Sequence, residues 1–200
     1  MRNVAIFGGS FNPVHNGHIA LVQRMKDAFS LDEVIVIPTF ETPLKDNTPM
    51  VSSSHRFNML TLAFTDIDFI TISDIEIMRQ GKSYTVDTLG ELSKVYSNDK
   101  LHFIVGADAF VQLPQWRSPE EIFKLAKVLT IARDALDFEI LQSKAEEYKL
   151  KYNAECGILN EPVSDISSTK VRKLIAEGKS TKGFLPTVVA DYIKEQGFYG

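Results

Sequence analysis

Two histidines stand three residues apart behind a pair of glycines, in Gly8-Gly9-Ser10-Phe11-Asn12-Pro13-Val14-His15-Asn16-Gly17-His18. The spacing describes a place to hold phosphate. Gly8 and Gly9 let the main chain approach an anion without side-chain obstruction, and the unsatisfied N–H groups of a helix starting near Gly17 aim at the same point. His15 and His18 can donate hydrogen bonds to phosphoryl oxygens and, when protonated, oppose the charge that builds up during displacement at phosphorus. The segment lacks the Lys-Ser/Thr ending of a P-loop and the three-glycine spacing of a dinucleotide fingerprint. Taken alone, the pair also reads as a helix cap or a structural metal site.

A second anion site is written near the other end, in Ile166-Ser167-Ser168-Thr169-Lys170-Val171-Arg172. The three hydroxyl residues before an apolar-periodic helix are natural N-caps. Arg172, one turn in, can bring a planar, permanently charged fork to an anion faced by the helix amides. Lys45, on the loop after Pro38, is a further candidate cation, although exposed lysine is also the surface default. Gly106-Ala107-Asp108 follows an apolar run and offers a carboxylate to a diol, while Trp116, flanked by Pro114, Gln115 and Arg117, offers a flat ring for stacking. Gly81-Lys82-Ser83-Tyr84-Thr85 precedes another helix, whose first amides can receive a carboxylate. Each of these last segments also has a structural reading, as a cap or as core.

The elements that must position these residues alternate regularly. Val4–Phe7, Val34–Ile37, Phe69–Ile72, Leu101–Val105 and Val128–Ala132 are short apolar runs of the kind found in strands buried on both faces, with Val4–Phe7 expected first and central. Helical spacing follows from Gly17 to Phe29, after Ser52-Ser53-Ser54, and over 84–96, with a charged helical stretch from Ala135 to about Tyr152. Residues 168–176 and 187–196 read as two closing helices, and 39–54 as a long irregular loop. The expected class is α/β: a Rossmann-like parallel sheet flanked by helices, with a small C-terminal helical part packed on it, as one domain over residues 1–200. In such sheets ligands bind beyond the carboxyl ends of the strands, where Gly8, Pro38, Gly106 and Arg133 all fall.

Composition limits the alternatives. A net charge of −4 and a pI near 5.6 argue against a general nucleic-acid binder, and no run is long enough to span a bilayer. The lone Cys156 has no internal disulfide partner, and the first residues lack the pattern of a signal peptide, so a cytoplasmic location is expected.

On the residues of Gly8–His18 and Ile166–Arg172, the chain closely resembles the HxGH-type nucleotidyltransferases, which transfer a nucleotidyl group from a nucleoside triphosphate. Within them, Ser83-Tyr84-Thr85, Gly106-Ala107-Asp108 and Leu113–Arg117 resemble the bacterial nicotinate-nucleotide adenylyltransferases, and the likeness extends from Arg2 to Tyr199. It implies transfer of the adenylyl group of ATP to nicotinate mononucleotide. The implied catalytic set is His18, His15, Arg172 and Lys45. For ATP the resemblance implies Gly8, Gly9, Ser10, Phe11, His15, Gly17, His18, Gly106, Asp108, Ser168, Thr169 and Arg172. For the acceptor it implies Ser10, Phe11, Lys45, Tyr84, Thr85, Trp116 and Arg133. No clustered acidic motif is present to hold a metal, so Mg²⁺ is expected to arrive on the ATP phosphates.

The sequence departs from the family's usual form at Thr42-Pro43-Leu44-Lys45 and at Arg133-Asp134-Ala135. His55-Arg56 matches a family pair, and a salt bridge anchoring its helix would account for Arg56 equally. The closing segment from Phe184 to Tyr199 reads as core packing. Nicotinamide mononucleotide, phosphopantetheine, a cytidylyl transfer and a non-catalytic nucleotide-binding module stay open as rivals, as does homo-oligomerisation.

Overall fold

The computed structural model describes residues 1–42, 50–161 and 166–200. Six parallel strands form one sheet: β1 (Asn3–Gly9), β2 (Glu33–Pro38), β3 (Ile70–Ile72), β4 (Lys100–Ile104), β5 (Lys127–Ala132) and β6 (Cys156–Asn160), in the order β3-β2-β1-β4-β5-β6. The order reverses direction between β1 and β4, so the crevice beyond their carboxyl ends lies at a topological switch point. Glycines occupy both sides of it. β1 ends in Gly8-Gly9, which register against Ile37 and Pro38, and Gly106 follows β4 after one residue.

Alternation along the strands divides the core in two. Val4 and Ile6 of β1 point to one face with Ile35, Ile37, Leu101 and Phe103, while Ala5 and Phe7 point to the other with Val34, Val36, Leu129 and Ile131. The first face is covered by α4 (Thr85–Val95), α5 (Ala107–Gln112), α6 (Pro119–Leu125) and α7 (Ala135–Tyr152), with α3 (Ile75–Arg79) against β2. Tyr148 of α7 is wholly buried there and donates its hydroxyl to the Phe110 carbonyl at 2.9 Å. The second face is covered by α1 (Asn16–Phe29), α2 (Ser53–Phe64), α8 (Ser168–Ala176) and α9 (Thr187–Gln196), whose Val22, Met25, Met59, Leu60, Val171, Val189 and Ile193 are all buried. The closing helices therefore pack on the sheet, as the absence of a flexible linker implied.

The elements expected from the sequence are present, with ends displaced by a residue or two. Three further elements carry no clear sequence signal. β6 runs along the edge as Cys156-Gly157-Ile158-Leu159-Asn160, with only two large apolar residues and a glycine. That glycine is required by packing: a Cβ on Gly157 would stand 2.6 Å from Phe29 Cε1 and 2.8 Å from Leu129 Cδ2. The short helices α3 and α5, five and six residues long, fall below the length at which helical periodicity can be read.

Candidate active site

The histidine loop is shaped by contacts among its own residues. Phe11 is buried in the left-handed region at φ 43°, unusual for a bulky side chain, and its ring stands edge-on to His18 at 5.0 Å between centroids. The Phe11 ring packs closely over Gly9, where a Cβ would lie 3.1 Å from it and would push the ring by a few tenths of an ångström. Gly17 is constrained in the same way by His15, whose Nδ1 would be 3.0 Å from a Cβ. The turn leads into α1 with His15 as the extended N-cap residue.

The two imidazoles stack, with centroids 3.6 Å apart and planes 19° from parallel. His18 Nδ1 accepts the main-chain N–H of His15 at 3.2 Å, so the neutral ring carries its proton on Nε2. Burial holds the pKa of His15 down to about 4. Burial, with the adjacent His15 second, holds His18 well below the ordinary imidazole value. Both rings are thus neutral at pH 7 in the free protein. Of the two contributions the sequence suggests, hydrogen-bond donation and positive charge, the neutral free site offers the first, as an oriented N–H on His18.

Side chains from distant parts of the sequence clamp this loop from outside. Arg56, only 1% exposed, donates to the carbonyls of Val51 at 2.9 Å, Ser10 at 2.8 Å and Thr39 at 2.6 Å, with Phe40 at 3.4 Å. Among the described residues no carboxylate pairs with it, so in place of the alternative salt bridge Arg56 holds a fan of carbonyls that ties the histidine loop to the segment after β2. From α8, Arg172 Nη1 donates to the Asn12 carbonyl at 2.7 Å and Ser168 Oγ to the Pro13 carbonyl at 2.8 Å. Ser167 is the N-cap of α8, accepting from Lys170 N at 3.2 Å. Tyr199, read from sequence as core packing, also donates its hydroxyl to Asn12 Oδ1 at 2.6 Å.

These contacts bring the two sequence motifs, some 150 residues apart, to one cavity of about 840 Å³ at the switch point. Gly8, Gly9, Ser10, Phe11, His15, Gly17, His18, Gly106, Asp108, Ser168, Thr169 and Arg172 all line it, and so do Asn12, Met50 and Ile166, which sequence reasoning did not single out. Arg133 lines it too. Its guanidinium pairs with Asp108 at 2.7 Å and with Asp137 at 2.7 Å, which raises its pKa further. It therefore shares the cavity with Asp108 and with Ser10 and Phe11 of the acceptor group.

Tyr84, Thr85 and Trp116 do not line this cavity. Tyr84 and Thr85 open α4, where Arg117 lies over the Tyr84 ring at 4.7 Å. Trp116 is half-buried, edge-to-face with Phe103 at 6.1 Å, and its Nε1 is buried with no hydrogen-bond partner among the described residues. Lys45 lies outside the described residues. Among the described residues, no group of three or more His, Cys, Asp and Glu side chains could hold a metal ion, and no helix is long and apolar enough to cross a membrane.

A parallel sheet of this order, with a glycine turn, paired histidines and a hydroxyl-capped helix around one cavity, defines a nucleotide-handling α/β protein, and over residues 6–174 the chain belongs to the cytidylyltransferase-like family. It is similar along its whole length to a protein of Lachnoclostridium phytofermentans named "Probable nicotinate-nucleotide adenylyltransferase", at 36% identity covering 100% of both chains. A Desulfitobacterium hafniense protein of the same name is also 36% identical, over 99% of this chain and 96% of its own. The fold is that of Plasmodium falciparum nicotinic acid mononucleotide adenylyltransferase complexed with NaAD, with a TM-score of 0.80 at 20% identity, covering 100% of this chain and 98% of the other.

Proposed function

We propose that this chain transfers the adenylyl group of ATP to nicotinate mononucleotide, releasing pyrophosphate and forming nicotinate adenine dinucleotide. One observation carries the reading: the histidine loop and the Ser167–Arg172 segment, joined by the Arg172–Asn12 and Ser168–Pro13 hydrogen bonds, face a single cavity. The names of the full-length relatives point the same way.

In this mechanism a 5′-phosphate oxygen of the acceptor attacks the α-phosphorus of ATP in line. A P–O bond to the acceptor forms as the bond to the β-phosphate oxygen breaks, and pyrophosphate leaves. The protein positions the reactants and stabilises charge. His18 donates Nε2–H to an α-phosphoryl oxygen, with His15 holding the ring in place by stacking; the approaching anion raises both imidazole pKa values from their depressed level. The Ser168 hydroxyl is engaged with Pro13, so α8 meets the departing phosphates through its first amides, the Thr169 hydroxyl and Arg172. Lys45 adds a second cation. Asp108 accepts from a ribose diol, oriented by Arg133.

Tyr84 and Thr85, at the start of α4, receive the nicotinate carboxylate, and Trp116 supports the pyridine ring. ATP would bring Mg²⁺ on its phosphates, where the ion would offset their charge beside Arg172. The unpaired Cys156 supports a cytoplasmic setting.

Paired assays of pyrophosphate release with ATP and either nicotinate or nicotinamide mononucleotide test the substrate assignment. Faster turnover of the acid is expected. Equal or faster use of the amide would refute the assignment, and nucleotide binding without release would identify a non-catalytic module.

A further inference from the structure

Beneath the start of α4 lies a carboxylate that the mechanism above does not use. Glu76, on α3, is 5% exposed. A buried carboxylate is costly to desolvate, and an apolar residue of similar size would serve packing better. What Glu76 touches is specific. Its Oε1 accepts the Thr88 hydroxyl at 2.7 Å, and Arg79 Nη2 approaches to 3.9 Å while itself donating to Thr88 Oγ1 at 2.8 Å. Burial raises the pKa of Glu76, against the opposing pull of Thr88, of the nearby Ser83 hydroxyl and of Arg79.

Thr88 and Ser83 flank Tyr84 and Thr85 on either side in the sequence. Ser83 is buried, and its Oγ accepts the Phe40 N–H at 3.0 Å while its own N–H donates to the Glu41 carbonyl at 2.9 Å. The α4 start is thereby laced to the segment after β2. The connection from α3 needs holding, because Gln80 and Gly81 are successive left-handed residues at φ 59° and 68°, and the first is not a glycine. Contacts among Arg79, Glu76 and Thr88 join α3 to the first turn of α4 across this connection, while Ser83 is held by Phe40 and Glu41.

We propose that Glu76 is a positioning residue for the acceptor nucleotide: through Thr88 it sets the α4 start that carries Tyr84 and Thr85, so that acceptor affinity depends on it and ATP affinity does not. The proposal rests on the assignment of Tyr84 and Thr85 to the acceptor. The ATP residues are held through Arg56, Arg172 and Ser168, whose hydrogen bonds do not involve Glu76 or Thr88.

The test is steady-state kinetics of Glu76→Leu, Glu76→Gln and Thr88→Val, with thermal unfolding of each. Glu76→Leu is expected to raise the KM for nicotinate mononucleotide about tenfold, leave the KM for ATP within about twofold, and unfold near the wild-type temperature. Glu76→Gln keeps an acceptor for Thr88 in the same place and is expected to restore most of the affinity. Thr88→Val, which removes the hydroxyl at constant shape, should reproduce the Leu pattern independently. An unchanged acceptor KM in Glu76→Leu or Thr88→Val, or a parallel loss for both substrates together with lowered stability, would overturn the proposal. Failure of the wild-type protein to use nicotinate mononucleotide would instead refute the functional reading on which it rests.

Discussion

Lowering the pH should cost this protein stability through the stacked histidines, and the size of the effect follows from burial. His15 titrates near 4 in the folded state against about 6.5 in an unfolded chain. Between those values the unfolded state binds a proton that the folded state refuses, so stability falls as pH falls. The contribution is fully present above pH 6.5. At about 1.36 kcal/mol for each step of one in pH below that point, roughly 2 kcal/mol is lost by pH 5 and roughly 3 kcal/mol by pH 4. His18, also depressed and stacked on His15, acts in the same direction. Urea unfolding of the wild-type protein and of His15→Asn from pH 7.5 to 4 isolates the effect, because carboxylates held low elsewhere, such as Asp137 beside Arg133, contribute equally to both proteins. The variant should show the shallower dependence. Proton NMR titration of the ring resonances should show neutral imidazoles at pH 6 whose pKa values rise when ATP is added. A His15 pKa near 6.5 in the free protein, or parallel slopes for the two proteins, would refute the reasoning.

Other consequences are more local. Arg56→Leu leaves at least three part-buried carbonyls without their donor and should lower unfolding free energy by about 3 kcal/mol, read by urea titration, with turnover lost in parallel as the histidine loop loosens. Gly17→Ala should raise the KM for ATP while costing about 1–2 kcal/mol, since its methyl group meets the His15 ring. Tyr199→Phe keeps the ring but removes the donor to Asn12, and kinetics should show reduced kcat with a change of about 1 kcal/mol in stability.

Much of the fold and of the site is legible in the sequence because the signals are local. Val4–Phe7 is a continuous apolar run ending at glycine, and Val128–Ala132, interrupted only by Thr130, ends at arginine; such runs have few homes other than a buried parallel strand. The residues lining the cavity are legible for a similar reason: glycines, histidines and hydroxyls at fixed spacings around helix starts imply their own geometry. What escapes a sequence reading depends on contacts between distant segments. β6 has a glycine where Phe29 and Leu129 close in, which no inspection of Cys156–Asn160 reveals. Arg56 suggests a salt bridge because a buried cation calls for a carboxylate, yet four carbonyls on the histidine loop and the segments around it satisfy it. The neutral state of the histidines follows from burial and stacking, which the sequence order alone does not contain. Tyr199 reads as core because its ring is partly that, while its hydroxyl reaches the site.

The proposed mechanism places His18, stacked on His15, at its centre as the group that stabilises adenylyl transfer at this cavity. Single-turnover formation of nicotinate adenine dinucleotide by His18→Ala, in protein shown to be folded and to bind ATP, tests this directly. The chemical step is expected to fall by about a hundredfold or more with little change in ATP binding. A rate within about threefold of wild type would contradict the assignment.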